Sequence, residues 1–142
     1  MIDLDSLHQF IVTAKANTYA GNGKASLSYR PKSHDLQFHD NDFAYLDSYF
    51  GGTDFLGQEV VYFQGEAVWA MNYYGRILEP NLINSSEAGK VIKESLIELY
   101  KQGRFLGGFE HTTALGIYTD TNEGTLISFT GKEWIARATA KV

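Results

Sequence analysis

The chain has 142 residues, an apolar content of 44% and a net charge of −5 at neutral pH. This length fits a single domain with a sizeable core, and the balance of apolar and charged residues is typical of a globular protein. The acidic charge and the lack of a Lys/Arg cluster argue against direct nucleic-acid binding, because basic side chains are needed to displace phosphate counterions. Since the chain has no cysteine, disulfides, zinc–thiolate sites and thiol nucleophiles are excluded.

The sequence also lacks the features of a membrane or secreted protein. No apolar run approaches the roughly 20 residues that a membrane-crossing helix needs. The acidic N-terminus has neither the basic start nor the apolar stretch of a secretory signal peptide. We therefore expect a cytoplasmic protein with no membrane contact.

The first half of the chain predicts one helix followed by strands. Apolar residues from Leu4 to Ala14 recur at helical spacing behind Asp3 or Asp5 as the N-cap, and Gly21 ends the pattern. Residues rich in β-branched and aromatic side chains then predict strands at 25–30, 35–39, 43–50, 59–63 and 67–74. Polar or glycine-rich segments at 40–42, 51–52 and 64–65 predict the turns between them.

The second half follows the same plan. Asn84 and Glu87 form a capping-box pattern before an apolar helical repeat that runs from Ala88 to Tyr100, and Gly103 closes the helix. Strands are predicted at 109–119, 125–129 and 134–140. Turns are predicted at 122–124 and 130–131.

A short motif occurs once in each half. The pattern F-x-G-[QK]-E-x-[VI] begins at Phe55 and returns at Phe129, 74 residues later. We therefore predict an α+β fold, an internally duplicated unit of one helix and antiparallel strands, with the two helices packed on a curved sheet. The two pseudo-repeats would cover about 1–79 and 80–142 of a single domain.

Alternating residues of one predicted strand suggest a pocket. Tyr45, Asp47 and Tyr49 point to the same side of a strand. Aromatic side chains around one charged group are typical of small-molecule sites, and Trp69 and Tyr73 could line the same pocket. The alternative is an exposed edge strand whose tyrosines pack sideways, with Trp69 and Tyr73 in the core.

The two glutamates of the repeated motif are candidates for chemistry. Glu59 and Glu133 hold matching positions, and a pair of close carboxylates can divide the roles of acid and base because proximity separates their pKa values. Asp47 could replace Glu133 as the partner of Glu59. Each glutamate could instead serve structure by accepting backbone hydrogen bonds.

The segment 34–42 concentrates side chains that can bind metals. Asp35 and His39 share a strand face, but four residues of extended chain separate them by about 13 Å, too far for both to bind one ion. We therefore predict a polar hairpin turn here, and neither a metal site nor a cofactor in the protein.

Several segments carry a family resemblance. They are Thr18-Tyr19-Ala20-Gly21, Arg30-Pro31-Lys32-Ser33-His34-Asp35-Leu36, the residues from Tyr45 to Glu59, and Trp69-Ala70-Met71-Asn72-Tyr73-Tyr74-Gly75. With these motifs the chain resembles the bacterial family named domain of unknown function 5680. The resemblance implies Arg30 and Asp35 as further polar site residues. It also implies a sensing or interaction module, because the family often follows an Xre-type helix-turn-helix. Since no such head is present here, a DNA-binding partner would be a separate protein.

Three functional hypotheses follow. The first is a domain that binds a small molecule or a protein partner without catalysis, through the residues Tyr45, Asp47, Tyr49, Trp69, Tyr73, Arg30, Asp35 and Glu59. The second is a small hydrolase or isomerase that uses Glu59 with Glu133 or Asp47. The third is a dimerisation module, which would make the protein a homodimer.

Overall fold

The computed structural model describes residues 1–142, which form two helices and eight strands. In chain order they are α1 (Leu4–Asn17), β1 (His34–Asp40), β2 (Phe43–Gly51), β3 (Asp54–Phe63), β4 (Glu66–Arg76), α2 (Ser85–Lys101), β5 (Phe109–Thr113), β6 (Gly116–Thr125), β7 (Ser128–Arg137) and β8 (Ala140–Lys141). The chain divides into two compact units, Met1–Arg76 and Ile77–Val142. We call them repeat 1 and repeat 2. That the two act as a single domain stays a prediction.

Repeat 1 begins with a capped amphipathic helix. The side chain of Asp3 accepts a hydrogen bond of 2.9 Å from the Ser6 N–H, which satisfies one of the free donors at the start of α1. Leu7, Ile11 and Ala14 form its buried stripe. This stripe packs on β1 and β2.

The sheet of repeat 1 is an antiparallel meander in the order β1-β2-β3-β4. Its turns lie close to where the sequence predicts them. Asn41 has a φ of 51°, and Gln64 and Gly65 have φ values of 51° and 86°, the left-handed backbone that two-residue hairpin turns require.

Repeat 2 has the same architecture. The predicted capping box at Asn84 and Glu87 is present at the start of α2, and α2 packs on β5 and β6. The antiparallel sheet has the order β5-β6-β7-β8. Val91, Tyr118 and Ile135 belong to the buried apolar cluster of this unit.

The α+β class and the internal duplication are confirmed. Each helix precedes four antiparallel strands and packs on the first two of them, and each unit has a sheet of its own. Gly51 and Gly124 both have positive φ, 90° and 108°, and face Phe55 and Phe129 across a hairpin. The hairpin loop between the glycine and the phenylalanine is one residue longer in repeat 2. The repeated motif therefore begins one residue later after the glycine in repeat 2 than in repeat 1.

The strand predicted at 25–30 is wrong. Ala25 makes one isolated bridge to Leu36, and the following residues form a loop. The loop is held by Asp35: its backbone oxygen accepts from the Ser26 N–H at 2.8 Å, and its side chain accepts from the Tyr29 N–H at 2.9 Å. These local bonds take the place of a strand ladder.

The single strand predicted at 109–119 is also wrong, because a tight turn divides it into β5 and β6. The Thr113 hydroxyl accepts hydrogen bonds from the N–H groups of Leu115 and Gly116, at 3.1 and 3.2 Å. A threonine side chain therefore closes this hairpin, and neither of its two central residues, Ala114 and Leu115, is the glycine or proline that usually indicates a turn.

The turns predicted at 122–124 and 130–131 lie inside β6 and β7, so both predictions are wrong. The hairpin turns instead between Thr125 and Ser128. Gly124 and Gly131 are strand glycines here, and composition alone cannot distinguish them from turn glycines.

Candidate functional site

A buried pair of acids lies at the centre of the sheet of repeat 1. Asp47 on β2 is directly opposite Glu59 on β3. Only 4% of Asp47 and 7% of Glu59 are exposed. Directly opposite residues of an antiparallel pair point to the same side of the sheet, so the two carboxyl groups share one face.

A lysine from the helix neutralises one of the two acids. The Nζ atom of Lys15 lies 2.8 and 2.7 Å from the two carboxylate oxygens of Glu59. Lys15 is itself 8% exposed and follows Ile11 by one helical turn, on the buried side of α1. The ion pair is therefore buried, with both Glu59 oxygens bound by the ammonium group.

A tyrosine binds the other acid. The Tyr73 hydroxyl on β4 donates a hydrogen bond of 2.6 Å to Asp47 Oδ1. Tyr49, Gly57 and Tyr73 form one row across three strands, and a Cβ atom at position 57 would overlap the Tyr73 hydroxyl and the Tyr49 side chain. The glycine of the repeated motif thus leaves the space through which Tyr73 reaches Asp47. Asp47 is therefore shielded from water and hydrogen-bonded to a hydroxyl group.

The surroundings shift the acidity of this cluster. Burial raises the pKa of Asp47 to about 7, and the negative charge of Glu59 also raises it. The hydrogen bond from Tyr73 and the positive charge of Lys15 lower this pKa, but their effect is smaller. Burial and the neighbouring Asp47 also raise the pKa values of Tyr49 and Tyr73. Asp47 therefore changes its protonation state near neutral pH, while both phenols stay protonated and able to donate.

Six of the predicted site residues lie on this face of the sheet. They are Tyr45, Asp47, Tyr49, Glu59, Trp69 and Tyr73. Tyr45 is 2% exposed and packs in the core, whereas Tyr49, Trp69 and Tyr73 are half-buried. Their role in binding a ligand stays a prediction.

Arg30 and Asp35 lie away from this cluster. Asp35 is opposite Ser48, the neighbour of Asp47 in the strand, so it points to the other face. The Ser48 hydroxyl donates to Asp35 at 2.7 Å, and an Arg30 N–H donates to the Ser48 hydroxyl at 2.9 Å. Burial alone would raise the pKa of Asp35, but the hydrogen bonds from Ser48 and Tyr29 hold it below its usual value. The two residues anchor the preceding loop, and a ligand role for them stays a prediction.

Repeat 2 contains the same acid pair in a different environment. Asp120 on β6 is directly opposite Glu133 on β7. Asp120 is 7% exposed, whereas Glu133 is exposed at the surface. Burial, together with the charges of Glu133 and Asp120, raises the pKa of Tyr118, whose hydroxyl lies in the core. Glu59 and Glu133 are thus equivalent in position and differ in burial.

The helices differ at the position that carries the lysine. Lys15 lies three residues before Thr18, the C-cap of α1, and Leu99 lies three residues before Gln102, the C-cap of α2. Leu99 is fully buried. The residue that neutralises Glu59 in repeat 1 is therefore replaced by an apolar one in repeat 2.

Asp35 and His39 both lie on β1, as the sequence predicts. No group of three or more His, Asp or Glu side chains is arranged to hold a metal ion.

Sequence reasoning missed Lys15 and Gly57. Helical spacing from Leu7 and Ile11 would have placed Lys15 on the buried stripe. The offset of two between Gly57 and Glu59 would have placed both on one strand face, with space left beside the acid. Both signals are visible in the sequence, but the strand register is needed to show which residues lie beside Lys15 and Gly57.

Comparisons with known proteins identify a family. A family model described as Domain of unknown function (DUF5680) matches residues 47–142. This range begins at Asp47 and includes all of repeat 2, whereas Lys15 and the motif at 30–36 precede it. A search of curated proteins and a search of solved structures each found no match. Neither helix is long and apolar enough to cross a membrane. The chain belongs to the DUF5680 family, a domain of unknown function.

Proposed function

We propose that repeat 1 binds a small organic cation at Asp47 without transforming it. One observation carries the proposal: two buried carboxyl groups face each other, Glu59 is bound by the Lys15 ammonium group, and Asp47 accepts its hydrogen bond from the neutral hydroxyl of Tyr73. An unneutralised buried carboxylate is costly. A ligand that brings a positive charge would offset this cost.

The hydrogen bonds of the cluster support Asp47 as the contact. Lys15 binds both oxygens of Glu59. Asp47 accepts from Tyr73 through Oδ1. A hydroxyl group does not neutralise a carboxylate. An ammonium group beside Asp47 would form the same kind of charge-assisted hydrogen bond that Lys15 forms with Glu59.

The nearby aromatic side chains suit the same class of ligand. Tyr49, Trp69 and Tyr73 are half-buried on the face that carries Asp47. Aromatic rings attract cations through their negative faces and offer apolar contact to the rest of a ligand. Such binding suits a sensing role in transcriptional regulation, which the resemblance implies, and a cytoplasmic location stays a prediction.

The test is a binding titration with benzylamine, followed by NMR. Benzyl alcohol is the probe of similar shape without the charge. We expect benzylamine to shift the signals around Asp47 and Tyr73 and to bind at least about tenfold more tightly than benzyl alcohol. Its affinity should rise from pH 6 to pH 8, because the amine stays protonated while Asp47 loses its proton.

Two variants complete the test. Asp47→Asn keeps the shape of the side chain and removes its charge, so it should abolish the preference for the amine. Glu133→Gln removes an exposed acid of repeat 2 and should leave that preference unchanged. Equal binding of both probes, or an amine preference that survives Asp47→Asn, would refute the proposal.

A hydrolase or isomerase is the second candidate, and one observation favours it. A pKa of about 7 suits a group that gives and takes protons at neutral pH. Because Lys15 occupies Glu59, the role of acid or base would fall to Asp47. A panel of chromogenic esters and glycosides tests this: turnover lost in Asp47→Asn but kept in Glu133→Gln would favour catalysis over binding alone.

A further inference from the structure

The loop that precedes β1 in repeat 1 exposes large apolar side chains. It spans residues 24–33, and all of these except Ser26 and Ser33 are exposed. Leu27 is 91% exposed and Tyr29 is 71% exposed. Two large side chains so close together in one loop offer apolar surface that a partner can bury.

The same loop is a basic segment of an acidic chain. Residues 24–33 include Lys24, Arg30 and Lys32 but no aspartate or glutamate. The loop thus contributes +3 to a net charge of −5, and the rest of the chain carries −8. A negatively charged partner is therefore attracted to the loop and repelled by the net charge of the rest of the chain, which favours contact at the loop.

Hydrogen bonds hold the loop in one conformation. Asp35 accepts from the Ser26 N–H through its backbone oxygen at 2.8 Å and from the Tyr29 N–H through its side chain at 2.9 Å. The Ser33 N–H donates to the Arg30 carbonyl oxygen at 3.0 Å, which closes a tight turn. Because the loop is already ordered, a partner loses less free energy to ordering it on binding.

The Arg30 guanidinium group is fixed with part of its donors still available. Its Nη2 atom donates to the backbone oxygen and the hydroxyl of Ser48, at 3.1 and 2.9 Å. Its central carbon lies 4.6 Å from the centre of the Phe50 ring. Arg30 is exposed, so its Nε and Nη1 groups can donate to an external carboxylate, whose geometry matches the planar guanidinium group.

Lys32 supplies a second charge from a strained position. Pro31 and Lys32 are the central residues of the turn, and Lys32 has a φ of 62°. A turn with positive φ at this position usually has glycine there, because a side chain makes the conformation costly. A lysine at such a position keeps a positive charge on the turn at the expense of backbone strain, which points to a role in binding.

We propose that the loop 24–33 binds an acidic segment of a partner protein that also carries apolar side chains. Carboxylates of the segment pair with Arg30 and Lys32, and its apolar side chains cover Leu27 and Tyr29. This inference does not depend on the binding of a cation at Asp47.

The charge of the chain favours a peptide segment over an anionic membrane. A flat membrane that touches the loop also approaches the rest of the chain, which carries −8. That negative charge opposes the attraction of the three basic residues. A peptide segment can lie on the loop alone, where the basic and apolar side chains occur together.

The test is an NMR titration with a short synthetic peptide of glutamates around a central leucine and phenylalanine. We expect the peptide to shift the amide signals of residues 24–33. One control peptide has glutamine in place of each glutamate, and another has serine in place of the two apolar residues. Each control should bind at least about tenfold more weakly. Vesicles of phosphatidylglycerol test the membrane, and we expect them to leave the loop signals unchanged.

Variants of the protein locate the contact. Lys32→Gly removes the charge and relieves the backbone, so it should weaken peptide binding at least about threefold without lowering the midpoint of urea denaturation. Leu27→Ser removes an exposed apolar side chain and should weaken binding by at least a similar factor. Lys90→Gln removes an exposed charge of α2 and should leave affinity unchanged.

Several results would overturn the proposal. They are equal binding of the acidic peptide and either control peptide, signal shifts confined to other parts of the chain, and affinity that survives both Lys32→Gly and Leu27→Ser. Binding of the loop to the vesicles without binding to the acidic peptide would assign it to a membrane surface instead.

Discussion

The same pair of acids, aspartate on one strand and glutamate on the next, is buried in repeat 1 and partly exposed in repeat 2. Glu59 is 7% exposed and bound by Lys15, whereas Glu133 lies at the surface. The strands that carry the two pairs have the same register. The difference must therefore come from what surrounds the pair.

Two neighbouring elements account for the difference. The helix position that carries Lys15 in repeat 1 carries Leu99 in repeat 2. β4 has eleven residues and extends beside the motif, whereas β8 has two and does not reach it. The duplication thus kept the backbone pattern, and residues outside the motif determine whether its acids form a buried cluster.

The largest effect is expected from giving repeat 1 the residue of repeat 2. Lys15→Leu leaves the buried Glu59 carboxylate without its cation, and breaking a buried ion pair from one side costs about 3–5 kcal/mol. Urea denaturation at pH 7 measures the loss of unfolding free energy. Glu133→Gln, at the exposed equivalent, should cost about 1 kcal/mol or less, because glutamine keeps a side-chain oxygen that can accept a hydrogen bond.

A double variant separates the charge from the packing. Lys15→Leu combined with Glu59→Leu replaces both partners by apolar residues, and we expect it to recover most of the lost stability. A cost of less than about 1 kcal/mol for Lys15→Leu alone would mean that water reaches the Glu59 carboxylate. The environments of Glu59 and Glu133 would then differ less than the burial of Glu59 indicates.

The second prediction concerns the effect of Asp47 on the pH dependence of the unfolding free energy. Its pKa is about 7 in the folded protein against an ordinary value of 3.8, so the folded state binds the proton more tightly. This contribution to stability is fully present below about pH 4 and is lost as the pH rises towards 7, by roughly 1 kcal/mol per pH unit.

Asp47→Asn removes this dependence, so the difference in unfolding free energy between the two proteins should grow between pH 4 and 7 in favour of the variant. Asp35 acts in the opposite sense at lower pH, because its pKa is lowered in the folded state and its contribution is lost as the pH falls. Asp35 is present in both proteins, so the difference curve cancels it. A flat difference curve would mean that Asp47 titrates normally.

The sequence predicts much of this cluster because strand alternation is a strong signal. Asp47 and Tyr49 had to share a face, and Tyr73 lies on the same face once β4 pairs with β3. The strand register of repeat 2 cannot be predicted from its sequence, because Gly124 and Gly131 indicate turns although both lie within strands. The prediction for repeat 2 is therefore less accurate than that for repeat 1.

The ion pair could not be predicted for a different reason. A lysine near the end of a helix usually extends into water and interacts with the helix dipole. Lys15 is buried because Glu59, 44 residues further along the chain, provides a partner for its charge. Helical periodicity places Lys15 on the buried stripe, but the identity of its partner depends on tertiary packing, which propensity and periodicity do not encode.

The third prediction compares the two motif glycines. Gly57→Ala places a methyl group against Tyr73 and Tyr49, and overpacking of this kind costs about 1–3 kcal/mol. At Gly131 the nearest atom to an added Cβ is the Thr121 carbonyl oxygen at 3.1 Å, followed by atoms of Asn122 at 3.3 and 3.8 Å. We expect Gly131→Ala to cost less than about 1 kcal/mol in the same denaturation assay. Equal losses would show that Gly57 has no special role beneath Tyr73.

The smallest effect is expected from removing one hydroxyl group. Tyr73→Phe deletes the hydrogen bond to Asp47 at a cost of about 1 kcal/mol. Because that bond favours the ionised carboxylate, its loss should raise the pKa of Asp47 further, and the variant should be more destabilised above neutral pH than at pH 4. An NMR titration of the Asp47 carboxyl carbon measures the pKa directly. Tyr74→Phe, on the neighbouring exposed residue, is the matched control and should leave the titration unchanged. If the pKa of Asp47 is the same in Tyr73→Phe as in the native protein, the hydroxyl does not stabilise the charged form, and the acidity of Asp47 is determined by burial and Glu59 alone.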